Sequence, residues 1–190
     1  MMKKFSILLF ISLFLPPPSV FSQQIALKTN LVYDAMATVN AGVEVSFARK
    51  WSFEVAGNYN AWDFSDGRKW RHILVQPEFH YWLCEPMSGH FFGLHAHWSK
   101  FNLAKVRIPF GLWKDLRDKR YEGDLYGAGL TYGYALPLGR HWNLEAALGL
   151  GYARVIYDKY PCARCGTRLD SGKYNYWGVT KLAFSVAYVF

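Results

Sequence analysis

The chain has 190 residues, carries a formal net charge of +8 and is rich in aromatic side chains, with 8 Trp, 13 Tyr and 14 Phe. This apolar and aromatic content excludes a disordered protein, because disordered chains are poor in such groups. After the N-terminal segment, no uncharged apolar run approaches the roughly 20 residues that a membrane-spanning helix requires, so a polytopic helical protein is excluded.

The N-terminal segment has the pattern of a secretory signal peptide. Lys3 and Lys4 form a positive head, an apolar run follows, and small residues precede the expected cleavage site after Ser22. We expect residues 1–22 to be removed and residues 23–190 to form a single domain. Gln23 stands where a bacterial lipoprotein would have Cys, so lipid attachment of that kind is not expected. A retained N-terminal anchor is the alternative, although the run is short for one.

Hydrophobic side chains recur with a period of two along the rest of the chain, which predicts β-strands. From Trp51, for example, Trp51, Phe53 and Val55 alternate with Ser52 and Glu54. The eight predicted strands are about Ile25 to Asp34, Ala41 to Ala48, Trp51 to Asn60, His72 to Leu83, Phe91 to Leu103, Asp124 to Leu136, Trp142 to Ala153 and Lys181 to Phe190.

The connections between these strands alternate between short and long. The short ones are residues 49–50, 84–89 and 137–141, and the other side has residues 35–40, 61–71, 104–123 and 159–175. Short turns on one rim and long loops on the other are typical of bacterial outer-membrane barrels. The sequence therefore predicts an all-β, eight-stranded antiparallel up-and-down transmembrane β-barrel, exported to the outer membrane of a Gram-negative bacterium.

The two faces of the strands indicate which side meets lipid. Gly127, Gly129 and Thr131 lie on one face of the sixth strand, and Leu130 and Tyr132 on the other. An eight-stranded barrel has an interior only wide enough to be filled by side chains, so small residues suit the inside. The aromatic face then suits lipid, whereas a soluble ligand-carrying barrel would have its large apolar residues inside.

Tryptophans recur near both predicted rims. Amphipathic indole rings favour the interface between membrane and water. We predict two aromatic belts, with Trp51, Trp82 and Trp142 at the short-turn rim and Trp62, Trp98 and Trp177 at the other.

A set of charged and titratable residues falls on the inward face by alternation. Buried charges are costly unless they are paired, so we expect a structural polar network that fixes strand register and closes the lumen. Its predicted members are Lys28, Glu44, Glu54, Glu78, His80, His95, His97, Glu145 and Lys181.

Catalysis in the lumen is the alternative interpretation of the same face. Ser99 shares it with His95 and His97. Residues two apart on one strand are separated by roughly 7 Å, too far for a hydrogen-bonded nucleophile and base without a bend. No catalytic residue is therefore assigned, and the expectation is that the protein is not an enzyme.

Cys162 and Cys165 lie in the last long loop and have the spacing of half a zinc knuckle. A structural zinc site uses four ligands, and Cys84 falls on the opposite rim. In an oxidising envelope we expect an intraloop disulfide, with reduced thiols or a metal as alternatives. No metal or cofactor is expected.

The loop over residues 104–123 is rich in Lys and Arg. It would meet lipopolysaccharide phosphates or an acidic partner at the outer rim, or it is simply a solvated loop with local ion pairs. The net charge is too small to indicate a nucleic-acid partner, and none is expected.

The mature chain resembles the small eight-stranded outer-membrane barrels of the OmpA/OmpX type. Its last strand ends in Phe190 with Tyr188 at the alternate position, which resembles the signal read by the barrel-assembly machinery. More specifically, the segments 27–34, 75–82 and 142–145 resemble a domain-of-unknown-function family of such barrels. Members are sometimes encoded near fimbrial assembly genes, which implies a fimbrial or other cell-surface protein partner and a link to cell-envelope assembly.

Together these observations predict a barrel with a plugged lumen and a structural or surface-interaction role through long extracellular loops. An outer-membrane lipid-modifying enzyme and a narrow channel are the alternative functions.

Overall fold

The computed structural model describes residues 24–64, 68–105, 119–161 and 166–190. Eight antiparallel strands each pair with their neighbours in sequence, and the first also pairs with the last, so the sheet closes. The elements in chain order are β1 Ile25–Asn30, α1 Leu31–Ala35, β2 Val39–Ala48, β3 Trp51–Asp63, β4 Lys69–Trp82, β5 Gly89–Ala104, β6 Arg120–Pro137, β7 Trp142–Tyr160 and β8 Asp170–Val189. The predicted all-β, eight-stranded up-and-down barrel is confirmed.

We call the end of the barrel with the short connections 49–50, 83–88 and 138–141 the turn end, and the opposite end the loop end. Within the described ranges, no helix has the length and apolar character needed to cross a membrane. The predicted signal peptide, residues 1–22, lies outside the described residues.

The first predicted strand is shorter than expected and gives way to a helix. The prediction extended β1 to Asp34, but β1 ends at Asn30 and α1 begins at Leu31. The side chain of Asn30 accepts a hydrogen bond from the backbone N–H of Val32, at 3.1 Å, and so caps the helix. Asn side chains compete with strand pairing in this way and favour helix N-termini.

The strands at the loop end are longer than predicted. β7 continues to Tyr160 and β8 begins at Asp170, so part of the predicted 159–175 loop is a strand. β6 likewise begins at Arg120, inside the predicted 104–123 loop. The alternation continues there in polar residues, which give a weak hydrophobic signal. β7 and β8 have 19 and 20 residues, well beyond the about 9–11 that cross a bilayer.

The two strands that close the barrel differ greatly in length. β1 has 6 residues, and it pairs with β8 only from Ser185 to Val189. Where β1 stops, the Asn30 side chain donates to the carbonyl of Leu182, at 3.1 Å, and accepts from the N–H of Phe184, at 3.2 Å. Beyond this point β8 has β7 as its only strand partner among the described residues.

The inward face is built in layers along the barrel axis. A buried apolar cluster that includes Trp82 and Phe91 fills the turn end. A second cluster at the loop end contains Phe101, Tyr121 and Val155. The polar side chains lie between them, while large apolar residues such as Leu130, which is 69% exposed, face outward.

Candidate functional site in the barrel lumen

Lys28 lies at the centre of the buried polar layer. β1 places it on the inward face, and its Nζ is 2.5 Å from Oε2 of Glu145 and 3.2 Å from Oε2 of Glu54. It also forms an ion pair with Glu44. All four residues are buried. One ammonium group therefore joins strands β1, β2, β3 and β7 across the lumen.

His80 extends this cluster to β4. Its Nδ1 is 2.9 Å from Oε1 of Glu44, and its Nε2 is 3.5 Å from Oε1 of Glu78. The ring is completely buried. His80 thus lies between carboxylates of two strands and holds both within reach of its ring nitrogens.

Lys181 supplies the second ammonium group of the layer. It forms a hydrogen-bonded ion pair with Glu78, and its Nζ is 4.0 Å from Oε2 of Glu54. Since Glu54 also contacts Lys28, the two lysine clusters share one carboxylate. Buried charges arranged in this way compensate one another, and removing one would leave its partners unpaired in a dry interior.

The turn end of the network is sealed by a tryptophan. Ser52 donates a hydrogen bond to Glu44, and the indole Nε1 of Trp82 donates to Oγ of Ser52 at 2.7 Å. The Trp82 ring then packs on Phe91, with ring centroids 4.6 Å apart. The polar layer is therefore continuous with the apolar layer below it, and no member of this contact chain is left solvated.

His95 and His97 lie on β5, on the loop side of the ionic cluster. The two nitrogens of His95 are each 2.9 Å from a threonine hydroxyl, those of Thr131 and Thr180. Glycines make the room for these rings: a Cβ atom at Gly149 would stand 2.8 Å from Cε1 of His95, and one at Gly127 would stand 2.7 Å from Nε2 of His97. The inward face of β6 and β7 therefore has glycines where the histidine rings of β5 leave no room for a Cβ atom.

The geometry around Ser99 does not assemble a nucleophile and base. Ser99 is buried on the same face, yet within the described part of the chain it makes no hydrogen bond to His95 or His97. The nitrogens of His95 are already taken by threonines. A serine needs a base within hydrogen-bond reach to become a nucleophile.

One group of side chains has the spacing of a metal site. Glu44, Glu54 and His80 each offer a ligand atom, and these atoms lie within 4.8 Å of one another. The ammonium group of Lys28 contacts both glutamates. The protein itself therefore supplies the positive charge that holds these carboxylates together.

All nine side chains predicted for the lumen network lie on the inward face, and eight of them are buried, with Lys181 partly exposed. Seven of the nine form the ionic cluster, and the two others, His95 and His97, adjoin it. Sequence reasoning placed Ser52 and Thr131 on the inward face but did not identify them, or Thr180, as hydrogen-bond partners of the network. Ser52 shares the alternating face of Glu54, which is the signal that identifies it.

One of the six predicted belt tryptophans lies elsewhere. Trp82 is completely buried in the lumen, because it shares the alternating face of Glu78 and His80 on β4. Placing it in a lipid-facing belt was wrong, since its height along the strand was considered without the face on which it lies. Trp62 is 51% exposed at the loop end, where its Nε1 donates to the carbonyl of Ala37 at 2.6 Å. The other four are also exposed: Trp51, Trp98, Trp142 and Trp177.

The C-terminal residues lie at the turn end. Phe190 is 66% exposed, and the ring of Tyr188 contacts those of Trp142 and His141. Cys84 is exposed in a short connection, without a disulfide. The predicted disulfide between Cys162 and Cys165 lies outside the described residues, as does most of the basic loop, residues 106–118.

The comparisons with known proteins give a family and no function. No curated protein and no solved structure matches the chain. A model of a family described as a protein of unknown function, DUF3575, matches residues 6–190. The chain therefore belongs to the DUF3575 family.

Proposed function

We propose that this protein is an outer-membrane β-barrel of the OmpA/OmpX type, delivered by a cleaved signal peptide and assembled by the barrel-assembly machinery. Its role is structural or in surface interaction, and its lumen is not a conduit. The outward face supports the membrane setting: Leu94, Leu130 and Leu150 are each more than half exposed, while Glu44 and Glu78 are buried inside. Transmembrane barrels have this inverted arrangement.

The packed lumen argues against a channel. Trp82 and Phe91 close the turn end, and the Lys28 and Lys181 clusters fill the middle. Ions would have to break several buried ion pairs to pass. In planar lipid bilayers we expect no stepwise conductance from the folded protein, and steady open-state currents would contradict a closed lumen.

The observation that carries the surface role is the unequal length of the strands. β5 to β8 have 16 to 20 residues, whereas β1 and β2 have 6 and 10. A bilayer accommodates only part of the longer strands, so their loop-end halves stand outside it as a sheet. In that sheet β8 presents an edge without a second strand partner among the described residues.

Such an edge suits one kind of partner. A row of backbone N–H and C=O groups on an unpaired strand pairs with an extended segment of another chain. Trp177 on β8 is 77% exposed and adds an apolar contact beside Tyr152. A surface or fimbrial protein that contributes an extended strand would therefore fit this sheet.

Trimming the protruding hairpin tests this role. Tyr152 pairs with Trp177, so replacing residues 152–177 with Asn-Gly removes the outer part of the hairpin, including the exposed edge at Trp177. The β7–β8 pairing from Gly151 and Gly178 to the turn end stays in place. The matched control replaces the short turn 138–141 in the same way. We expect both variants to show heat-modifiable gel mobility, and only the trimmed one to resemble a deletion strain in adhesion and fimbriation. Full restoration by the trimmed variant would contradict the proposal.

A further inference from the structure

The loop-end part of the lumen, beyond the buried polar layer, contains a cavity that we call the chamber. Its volume is about 350 Å³, and its walls include Phe101, Leu103, Leu125 and Val155. Of the described residues that line it, none is Lys, Arg, Asp or Glu. Small-molecule sites have volumes of roughly 300–1,000 Å³ and are mostly apolar with a few polar groups. The chamber has the size and lining of such a site.

Several polar side chains of this lining have no hydrogen-bond partner among the described residues. They include Ser99, His72 and Trp70, whose indole Nε1 is buried. Tyr176, by contrast, donates to the carbonyl of Val179 at 3.4 Å. Serine has a hydroxyl donor and imidazole a ring donor. The chamber thus offers unpartnered hydrogen-bond donors, the Ser99 hydroxyl among them, to a molecule inside it.

We propose that the chamber binds one neutral acyl ester. The aliphatic chain would pack against Phe101 and Leu125, and the ester carbonyl oxygen would accept a hydrogen bond from Oγ of Ser99. An uncharged ester fits better than a carboxylate, because burying an ion without a partner is costly and no lysine or arginine lines the cavity among the described residues. This binding activity goes beyond the surface role. Its chemistry is shared by free esters and by the acyl chains of membrane lipids.

The test uses the full mature chain in nanodiscs of dialkyl ether lipid, which contain no ester. Methyl decanoate is titrated while the indole N–H resonance of Trp70, a wall residue, is followed by NMR and assigned with Trp70→Phe. We expect a saturable shift of this resonance. Replacing Ser99 with Ala should weaken the affinity about two- to tenfold, the effect of one hydrogen bond.

Filling the chamber provides the decisive comparison. Leu125→Trp occupies the cavity, and we expect it to weaken binding at least about tenfold. Leu130→Trp is the matched control, because Leu130 lies on the same strand and is 69% exposed on the outward face. If Leu125→Trp does not fold, Val155→Phe serves in its place, with Leu150→Phe, outward and 57% exposed, as its control.

A second nanodisc, made of diacyl lipid without added ester, distinguishes a free ester from the acyl chain of a membrane lipid as the occupant. A Trp70 resonance already at the shifted position there identifies a lipid chain as the occupant, and a shift only with methyl decanoate identifies a free ester. Absence of a saturable shift with methyl decanoate in the ether-lipid nanodiscs, or equal binding by the filled and control variants, would overturn the proposal. An equal shift with n-decane would overturn the hydrogen-bonded recognition of the ester.

Discussion

The ammonium Nζ of Lys28 lies 2.5 Å from a carboxylate oxygen of Glu145, although the two residues are 117 positions apart in the chain. β1 carries the lysine and β7 the glutamate, and the bond between them crosses the lumen. It forms only when the barrel is closed. The polar network therefore depends on the strand register of the closed barrel, and it also fills the barrel interior.

Lys28→Met should destabilise the barrel strongly. The substitution leaves Glu44, Glu54 and Glu145 facing one another without their shared cation, and breaking a buried ion pair typically costs about 3–5 kcal/mol. The free energy of unfolding, measured by urea titration in lipid vesicles, is the readout. Lys173→Met on an exposed position is the control and should change little.

A second substitution distinguishes lost pairing from lost packing. If unpaired carboxylates cause the instability, adding Glu145→Leu to Lys28→Met should recover part of the loss. A double variant as unstable as the sum of both single variants would contradict the ionic role of the pair.

Gly149→Ala should also destabilise the protein, by about 1–3 kcal/mol, because a methyl group there overpacks the lumen. Its Cβ would stand 2.8 Å from both Cε1 of His95 and Cβ of Lys181. Gly139→Ala is the matched control, since its Cβ would meet nothing within 4 Å. Equal stability of the two variants in the same titration would refute the close packing of β5 against β7.

Trp82 and Trp142 should differ in their exposure to lipid. Trp82 is completely buried in the lumen, and Trp142 is 52% exposed at the turn end. In vesicles with bromine-labelled acyl chains, Trp142→Phe should reduce the quenchable part of the fluorescence, whereas Trp82→Phe should not. Similar losses of quenchable fluorescence from the two substitutions would indicate that Trp82 faces lipid.

Alternation alone was enough to choose the inward residues, because a strand gives each side chain one of two faces. It predicted Lys28 and Glu145 on the inward face without knowledge of their contact. Which inward groups meet depends on the register between strands, and that register brings Lys28 to Glu145 and His95 to Thr131.

Sequence reasoning failed where a local polar group or a weak pattern decided the outcome. Asn30 ended β1 through a side-chain cap, which hydrophobic periodicity does not detect. The outer ends of β7 and β8, residues 159–160 and 170–175, were assigned to a loop because their polar residues interrupt the hydrophobic period of two. Trp82 was misplaced although Glu78 and His80, on the same face, already indicated the lumen.

The central claim is that the aromatic face of the barrel meets lipid and the polar face is enclosed. Spin labels at Leu130, Thr131 and Tyr132, each on a chain with its native cysteines changed to serine, test it most directly in vesicles. The collision rate of each label with oxygen, which concentrates in lipid, is compared with its collision rate with a water-soluble nickel complex. A label at the exposed Lys173 gives the reference for water.

We predict that labels at Leu130 and Tyr132 collide with oxygen and are shielded from nickel, and that the label at Thr131, a residue only 2% exposed, is shielded from nickel as well. Nickel collision rates at Leu130 and Tyr132 as high as at Lys173 would contradict the account, because the aromatic face would then lie in water.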